Sequence, residues 1–186
     1  TFVLCFDSDW WYRRWLNLPI VAGLLIACAW GLQEHRIVYN VRVALPLYVA
    51  GMFFFCMFAH GELAADRPAP AYLTRFYVMV SLGGAIGGLF VGIVAPYAFP
   101  GFYELGVGYM LIAVAAVMLL RNRHVLLMGS AGVVGIVTSL FVGMQINKEL
   151  ADSRVLERNF YAKLQTYDQA ENGTGYGSRV LIDGVI

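Results

Sequence analysis

The chain has 186 residues with a formal net charge of +1, and 60% of its residues are hydrophobic while only 13% are charged. Soluble domains average about 45–50% apolar and about 25% charged residues, so a single water-surrounded core could not hide this much apolar surface. The near-neutral charge gives no electrostatic case for binding nucleic acid. The composition therefore predicts an integral membrane protein whose first partner is the lipid bilayer.

The N-terminal residues predict the end of one helix and the approach to the next. The run Thr1 to Phe6 is apolar and reads as the last turn or two of a hydrophobic helix that begins upstream. Residues 7–15 then combine tryptophan, tyrosine and arginine. This combination is typical of the headgroup level of a membrane.

Apolar stretches of near-spanning length follow. They are 17–32, 41–59, 76–99, 105–120 and 125–146. A transmembrane helix needs about 20 predominantly apolar residues. We therefore expect residues 1–146 to form an all-α transmembrane helical bundle of about five spans plus the end of a preceding one. Basic residues are distributed almost evenly between the two sets of loops, so the positive-inside rule leaves the orientation open.

The composition changes at residue 147, where charged residues become frequent. A short amphipathic helix should leave the membrane there. Residues 160–167 then alternate in a strand pattern, 168–178 are glycine-rich and polar, and 179–186 would be the returning strand. We interpret 147–186 as the truncated start of a soluble domain, a helix and then a β-hairpin, because an isolated hairpin is marginally stable in water.

Glycines form small-xxx-small rows in the third and fifth spans, and such rows let helix backbones approach closely in lipid. The glycines predicted to pack helices are Gly83, Gly84, Gly87, Gly88, Gly92, Gly132 and Gly135. Packing within the bundle is the first interpretation. A hinge for alternating access, or a docking face for other membrane subunits, is the alternative.

Polar residues collect in the predicted interfacial loop at 60–75, whose notable members are His60, Glu62, Arg67 and Arg75. We expect His60 and Glu62 to cap the end of the second span and to pair with one of the two arginines. The His-x-Glu spacing could begin a metal site, but the neighbouring sequence offers no further ligand, so no metal site is predicted. No aspartate, glutamate or lysine falls in the middle of a predicted span, which argues against ion-coupled transport.

Several runs in the chain resemble the membrane region of bacterial proteins described as fused major-facilitator/spermidine-synthase-like. They are 60–63, 67–70, 72–74, 76–77, 81–84, 87–88 and 95–96. The tail at 158–161 and 179–184 is similar to the first hairpin of that family's aminopropyltransferase-like domain. The resemblance implies a multi-pass protein of the bacterial inner membrane that continues into a Rossmann-type domain.

In true spermidine synthases, decarboxylated S-adenosylmethionine gives its aminopropyl group to putrescine. The segments that do this work are not in the present sequence, so no catalytic or cofactor-binding residue is predicted, and decarboxylated S-adenosylmethionine would serve only a longer protein. No nucleophile elbow, phosphate loop or dinucleotide fingerprint occurs either. We expect an accessory or anchoring subunit of a larger membrane complex. The alternatives are a membrane-linked aminopropyltransferase and a transporter of polyamines or other small molecules.

Overall fold

The computed structural model describes residues 1–7, 10–34, 37, 40–121, 125–153, 155–159, 163–169 and 178–183. The helices are α1 (Phe2–Asp7), α2 (Arg14–Gly31), α3 (Val41–Ala65), α4 (Leu73–Leu89), α5 (Ala95–Ala98), α6 (Glu104–Leu120) and α7 (Val125–Asp152). A 3₁₀ turn at Pro70–Tyr72 precedes α4, and a π-helical turn at Phe90–Val94 links α4 to α5. The strands are β1 (Val155–Arg158), β2 (Lys163–Gln169) and β3 (Ser178–Asp183).

Long apolar helices dominate the fold, as the composition predicts. In the described part of the chain, four helical segments are long and apolar enough to cross a membrane: Arg14–Gly31, Val41–Ala65, Pro70–Ala98 and Leu127–Ala151. The predicted span at 105–120 corresponds to α6, an apolar helix of 17 residues that falls short of the length of the other four. The mostly helical fold with long apolar helices is confirmed, and the count of five spans stays a prediction.

Helix α3 is longer than its apolar run. The sequence places its end near residue 59, whereas the helix continues to Ala65 and makes the following loop correspondingly shorter. His60 and Glu62 stay helical because the chain around α1 and at the start of α2 supplies polar partners for both side chains. The predicted interfacial loop over 60–75 is therefore wrong in its first six residues.

The π-helical turn has a local cause in the Ala95–Pro96 pair. Proline has no N–H, so Pro96 cannot bond to the carbonyl four residues earlier. The backbone takes a wider turn at this point, and the N–H of Ala95 donates to the carbonyl of Phe90, five residues back. The predicted third span thus becomes one helical segment, Pro70–Ala98, with a bulge near its end.

The chain divides into two compact units, of which the first comprises Thr1–Phe76 and Gly106–Met144. Its best-buried apolar side chains include Val21, Leu25 and Cys28 from α2, each at most 2% exposed. Phe55 on α3 meets Tyr109 on α6 edge-on, with ring centroids 5.6 Å apart. Gln33, just beyond α2, donates a hydrogen bond to the Phe141 carbonyl of α7.

The second unit comprises Tyr77–Leu105 and Gln145–Ile186. The three strands form an antiparallel sheet in the order β1-β2-β3. The pairing of Tyr167 with Val180 confirms the predicted hairpin of β2 and β3. Strand β1 was not predicted, because its charged residues suggested a helix leaving the membrane. The predicted short amphipathic helix is the last part of α7, which runs without a break to Asp152.

Candidate functional site

A buried carboxylate near the end of α3 is the centre of the polar site in the first unit. Glu62 is only 5% exposed. Arg14, at the start of α2, donates from Nε to Oε1 of Glu62 at 2.7 Å and from Nη2 to its Oε2. The hydroxyl of Tyr12 donates to the same Oε1 at 2.5 Å. We call Tyr12, Arg14 and Glu62 the Glu62 cluster.

Gly61 provides the space that the Glu62 cluster needs. A Cβ atom at this position would lie 2.3–2.5 Å from three ring carbons of Tyr12, closer than real Cβ atoms approach. The tyrosine ring therefore rests directly on the α3 backbone, one residue before the carboxylate that it binds. Burial, reinforced by the hydrogen bond and the negative charge of Glu62, raises the pKa of Tyr12 above its ordinary value of 10.0. The phenol stays neutral and remains a donor to Glu62.

Two charge-assisted bonds and a phenol satisfy the Glu62 carboxylate within an apolar helix. The predicted partners of Glu62 were Arg67 or Arg75, and the structure shows Arg14 in their place. Arg67 lies in the short connection after α3, and Arg75 lies in the first turn of α4. Both arginines are exposed.

His60 lies two residues before Glu62 on α3 and faces α1. Its Nδ1 is 2.7 Å from the Cys56 carbonyl, within its own helix, and 3.2 Å from the hydroxyl of Thr1. The ring of Phe2 meets the imidazole edge-on at 5.7 Å. Among the residues that the structure describes, no group of three or more His, Cys, Asp or Glu side chains is arranged to hold a metal ion.

The predicted packing glycines of α4 are exposed, and Gly92 of the π turn is half-buried. For Gly83, Gly84, Gly87, Gly88 and Gly92, no heavy atom of the described chain outside the local helix backbone lies within 4 Å of the point where a Cβ would stand. On α7, Gly132 is similarly open, whereas a Cβ at Gly135 would meet the Cβ of Ala113 on α6 at 3.5 Å. Of these seven glycines, Gly135 thus borders another helix of the described chain, and the other six face open space.

A second set of buried charges, in the second unit, fixes the sheet to the loop before α6. Arg158 of β1 donates to both carboxylate oxygens of Glu104 at 2.7 and 2.8 Å, and also to the Gly101 carbonyl at 2.8 Å. Its guanidinium carbon lies 4.2 Å above the ring centroid of Phe102. The Arg158 side chain is only 7% exposed.

A lysine–glutamate pair and a buried tyrosine extend this arrangement. Lys163 of β2 pairs with Glu149 of α7 at 3.2 Å. We call Glu104, Glu149, Arg158 and Lys163 the sheet clamp. Next to it, burial and the negative charge of Glu149 raise the pKa of Tyr103 to about 12.

Sequence reasoning missed both charge clusters because their members lie far apart in the chain. Arg14 and Glu62 are separated by 48 residues, and Glu104 and Arg158 by 54. One local signal was available for Glu62: the apolar residues 63–65 follow it, so the helical pattern could have been continued through it. Comparison with known proteins adds nothing to these observations, since no family model, curated protein or solved structure matches the chain.

Proposed function

We propose that this chain is a multi-pass accessory or anchoring subunit of a larger complex in the bacterial inner membrane. The observation that carries the proposal is the open glycine surface of the Pro70–Ala98 segment. Only 6% of its most apolar window is buried inside the chain, the lowest share among the four long apolar helices. The other three bury between 11% and 33% of theirs.

Glycines make this surface suited to another helix rather than to lipid alone. Gly84 and Gly88 are four residues apart, as are Gly83 and Gly87, so each pair lies on one face. Without side chains there, a second helix could approach the backbone closely, and close approach drives helix association in lipid. The proposed occupant is therefore an apolar transmembrane helix of another subunit that also presents small residues.

Five spans complete the proposed topology. Helix α6, with 17 residues, would cover about 25 Å, somewhat less than the hydrocarbon thickness of about 30 Å. Phe102 and Tyr103 directly precede it, and aromatic rings commonly occupy the membrane boundary. A short span flanked by aromatic residues fits a locally thinned bilayer.

Purification of the full-length protein from its native membrane in mild detergent tests the proposal. We expect a defined assembly larger than the single chain, with stoichiometric partner subunits. Gly84→Leu and Gly88→Leu should release these partners because each adds a bulky side chain to the proposed contact. Gly129→Leu is the matched control, since Gly129 is also open but lies on α7. A single partner-free species, or partners retained by both α4 variants, would refute the proposal.

A membrane-linked aminopropyltransferase is the second candidate. It is favoured by the β2–β3 hairpin, which lies where the resemblance to spermidine-synthase-like proteins expects the first hairpin of that domain. Full-length protein should then transfer label from decarboxylated S-adenosylmethionine to putrescine. Absence of labelled spermidine above a vector control would exclude this activity. Transport of polyamines or other small molecules has less support, since Glu62 is held by Arg14 and Tyr12.

A further inference from the structure

A groove of about 350 Å³ lies between α3 and α6 in the first unit. Most of its wall is apolar and includes Phe58, Ala59 and Leu63 from α3, and Leu111, Ala115 and Leu119 from α6. The lining also includes two carboxylate residues, Glu62 and Asp66, toward the C-terminal end of α3. The groove is thus apolar along its length and acidic at one end.

The dimensions of the groove suit part of a lipid chain. Its lining covers residues 58–66, at the end of α3 and the position just after it, and 111–119 on α6. Each stretch rises by about 12 Å along its helix, slightly less than one leaflet of a hydrocarbon core about 30 Å thick. An acyl chain lying along the groove would therefore have its headgroup near the acidic end.

The two carboxylates at that end differ in what they can bind. Glu62 is already occupied by Tyr12 and Arg14. Asp66 is exposed, and within the described chain its side chain has no hydrogen-bond or ion-pair partner. It follows the last turn of α3, where backbone carbonyls lack helical partners and the helix dipole adds negative charge. This end of the groove therefore attracts a cation that can donate several hydrogen bonds.

The next residue supplies the opposite charge. Arg67 is exposed and, within the described ranges, also has no side-chain partner. An acidic and a basic side chain on adjacent residues match a zwitterionic headgroup, with its ammonium on Asp66 and its phosphate on Arg67. A primary ammonium has three N–H donors for a carboxylate and nearby carbonyls. A quaternary ammonium has none.

We propose that the α3–α6 groove binds one phospholipid with a primary-amine headgroup, of the phosphatidylethanolamine class. One acyl chain fills the groove, the ammonium binds Asp66 and the last carbonyls of α3, and the phosphate lies against Arg67. The groove shares no residue with the glycine surface of α4, so neither proposal depends on the other.

Native mass spectrometry of the full chain tests the site directly. The protein in detergent is given equal amounts of phosphatidylethanolamine, phosphatidylcholine and phosphatidylglycerol with identical acyl chains. We expect about fivefold enrichment of phosphatidylethanolamine as a single bound copy, in line with one charge-assisted contact at a partly exposed site. Asp66→Asn should remove the enrichment. Asp7→Asn, which removes an exposed carboxylate from α1, should leave it unchanged.

Filling the groove tests the acyl-chain contact. Ala115→Phe should reduce retention of all three lipids, whereas Val49→Phe, at a 57% exposed position of α3 outside the groove, should not. The buried thiol of Cys28 should stay protected in each variant as a check on folding, and Ala115→Leu replaces the phenylalanine variant if that check fails. Equal retention of the three lipids, a preference for phosphatidylglycerol, or unchanged enrichment in Asp66→Asn would overturn the proposal.

Discussion

Replacing Gly61 by alanine should loosen the attachment of the segment before α2 to helix α3. The added Cβ would lie 2.3–2.5 Å from the ring of Tyr12, so the ring must move away from the helix. Its hydroxyl cannot then keep the 2.5 Å hydrogen bond to Glu62. One methyl group thus disturbs both the packing and the polar contacts of the Glu62 cluster.

The expected loss of stability follows from three opposing contributions. Overpacking a tight contact typically costs about 1–3 kcal/mol, and a lost hydrogen bond to a charged group costs about 1.5–3 kcal/mol. Alanine in a helix interior is favoured over glycine by about 1 kcal/mol. The net expectation is a loss of about 1.5–5 kcal/mol. The same substitution at Gly23 of α2, where nothing lies within 4 Å of a Cβ, should be neutral or slightly stabilising.

Labelling of the buried thiols in detergent during thermal unfolding measures this difference. Cys5 and Cys28 are 3% and 0% exposed, so they react with a maleimide dye when the first unit opens. Combining Gly61→Ala with Tyr12→Ala removes the ring that the methyl group meets. In that background Gly61→Ala should no longer destabilise the protein. Equal labelling temperatures for wild type, Gly23→Ala and Gly61→Ala would refute the proposed contact.

Three further predictions concern the sheet clamp and the α6–α7 contact. Glu104→Gln leaves the Arg158 charge buried without its carboxylate and should weaken the attachment of β1 by about 3 kcal/mol; unchanged amide hydrogen exchange in β1 would contradict this. The pKa of Tyr103 is raised from 10.0 to about 12, so its contribution to stability is complete below pH 10 and is lost as the pH rises toward 12. Tyr103→Phe should therefore shift the alkaline unfolding midpoint upward, and an unchanged midpoint would argue against the buried phenol. A Cβ at Gly106 would meet Val142 at 2.6 Å, whereas Gly108 is open, so alanine should lower the melting temperature at Gly106 but not at Gly108.

The length of the apolar runs was the most reliable predictor of the long helices. Runs of aliphatic and aromatic residues identified α2, α3, the Pro70–Ala98 segment and α7, because a helix satisfies the backbone hydrogen bonds of a long apolar run within the run itself. The β2–β3 hairpin was also foreseen, from alternating residues on either side of a glycine-rich stretch. These signals are local, so a single sequence contains them in full.

The ends of helices and the ion-pair partners of charged side chains were predicted less well, and Glu62 shows why. A glutamate after an apolar run ordinarily indicates that the chain has left the membrane. Here the helix continues through it, since Arg14 and Tyr12 neutralise and bond the carboxylate from another part of the chain. The same applies to Arg158, whose partners lie 54 and 57 residues away. No local pattern contains information of this kind.

The two charge clusters have a common physical role, which follows from the scarcity of charge in the chain. Lipid surrounds apolar helix faces as readily as another helix does, so burial of apolar surface selects few contacts within a membrane. The segments that carry a paired carboxylate and guanidinium have few alternative arrangements. A buried charge left without its partner would destabilise the fold by about 3–5 kcal/mol. The Arg14–Glu62 pair fixes the start of α2 against the end of α3, and the Arg158–Glu104 pair fixes β1 against the start of α6. These pairs therefore favour one arrangement of the segments that meet within each unit.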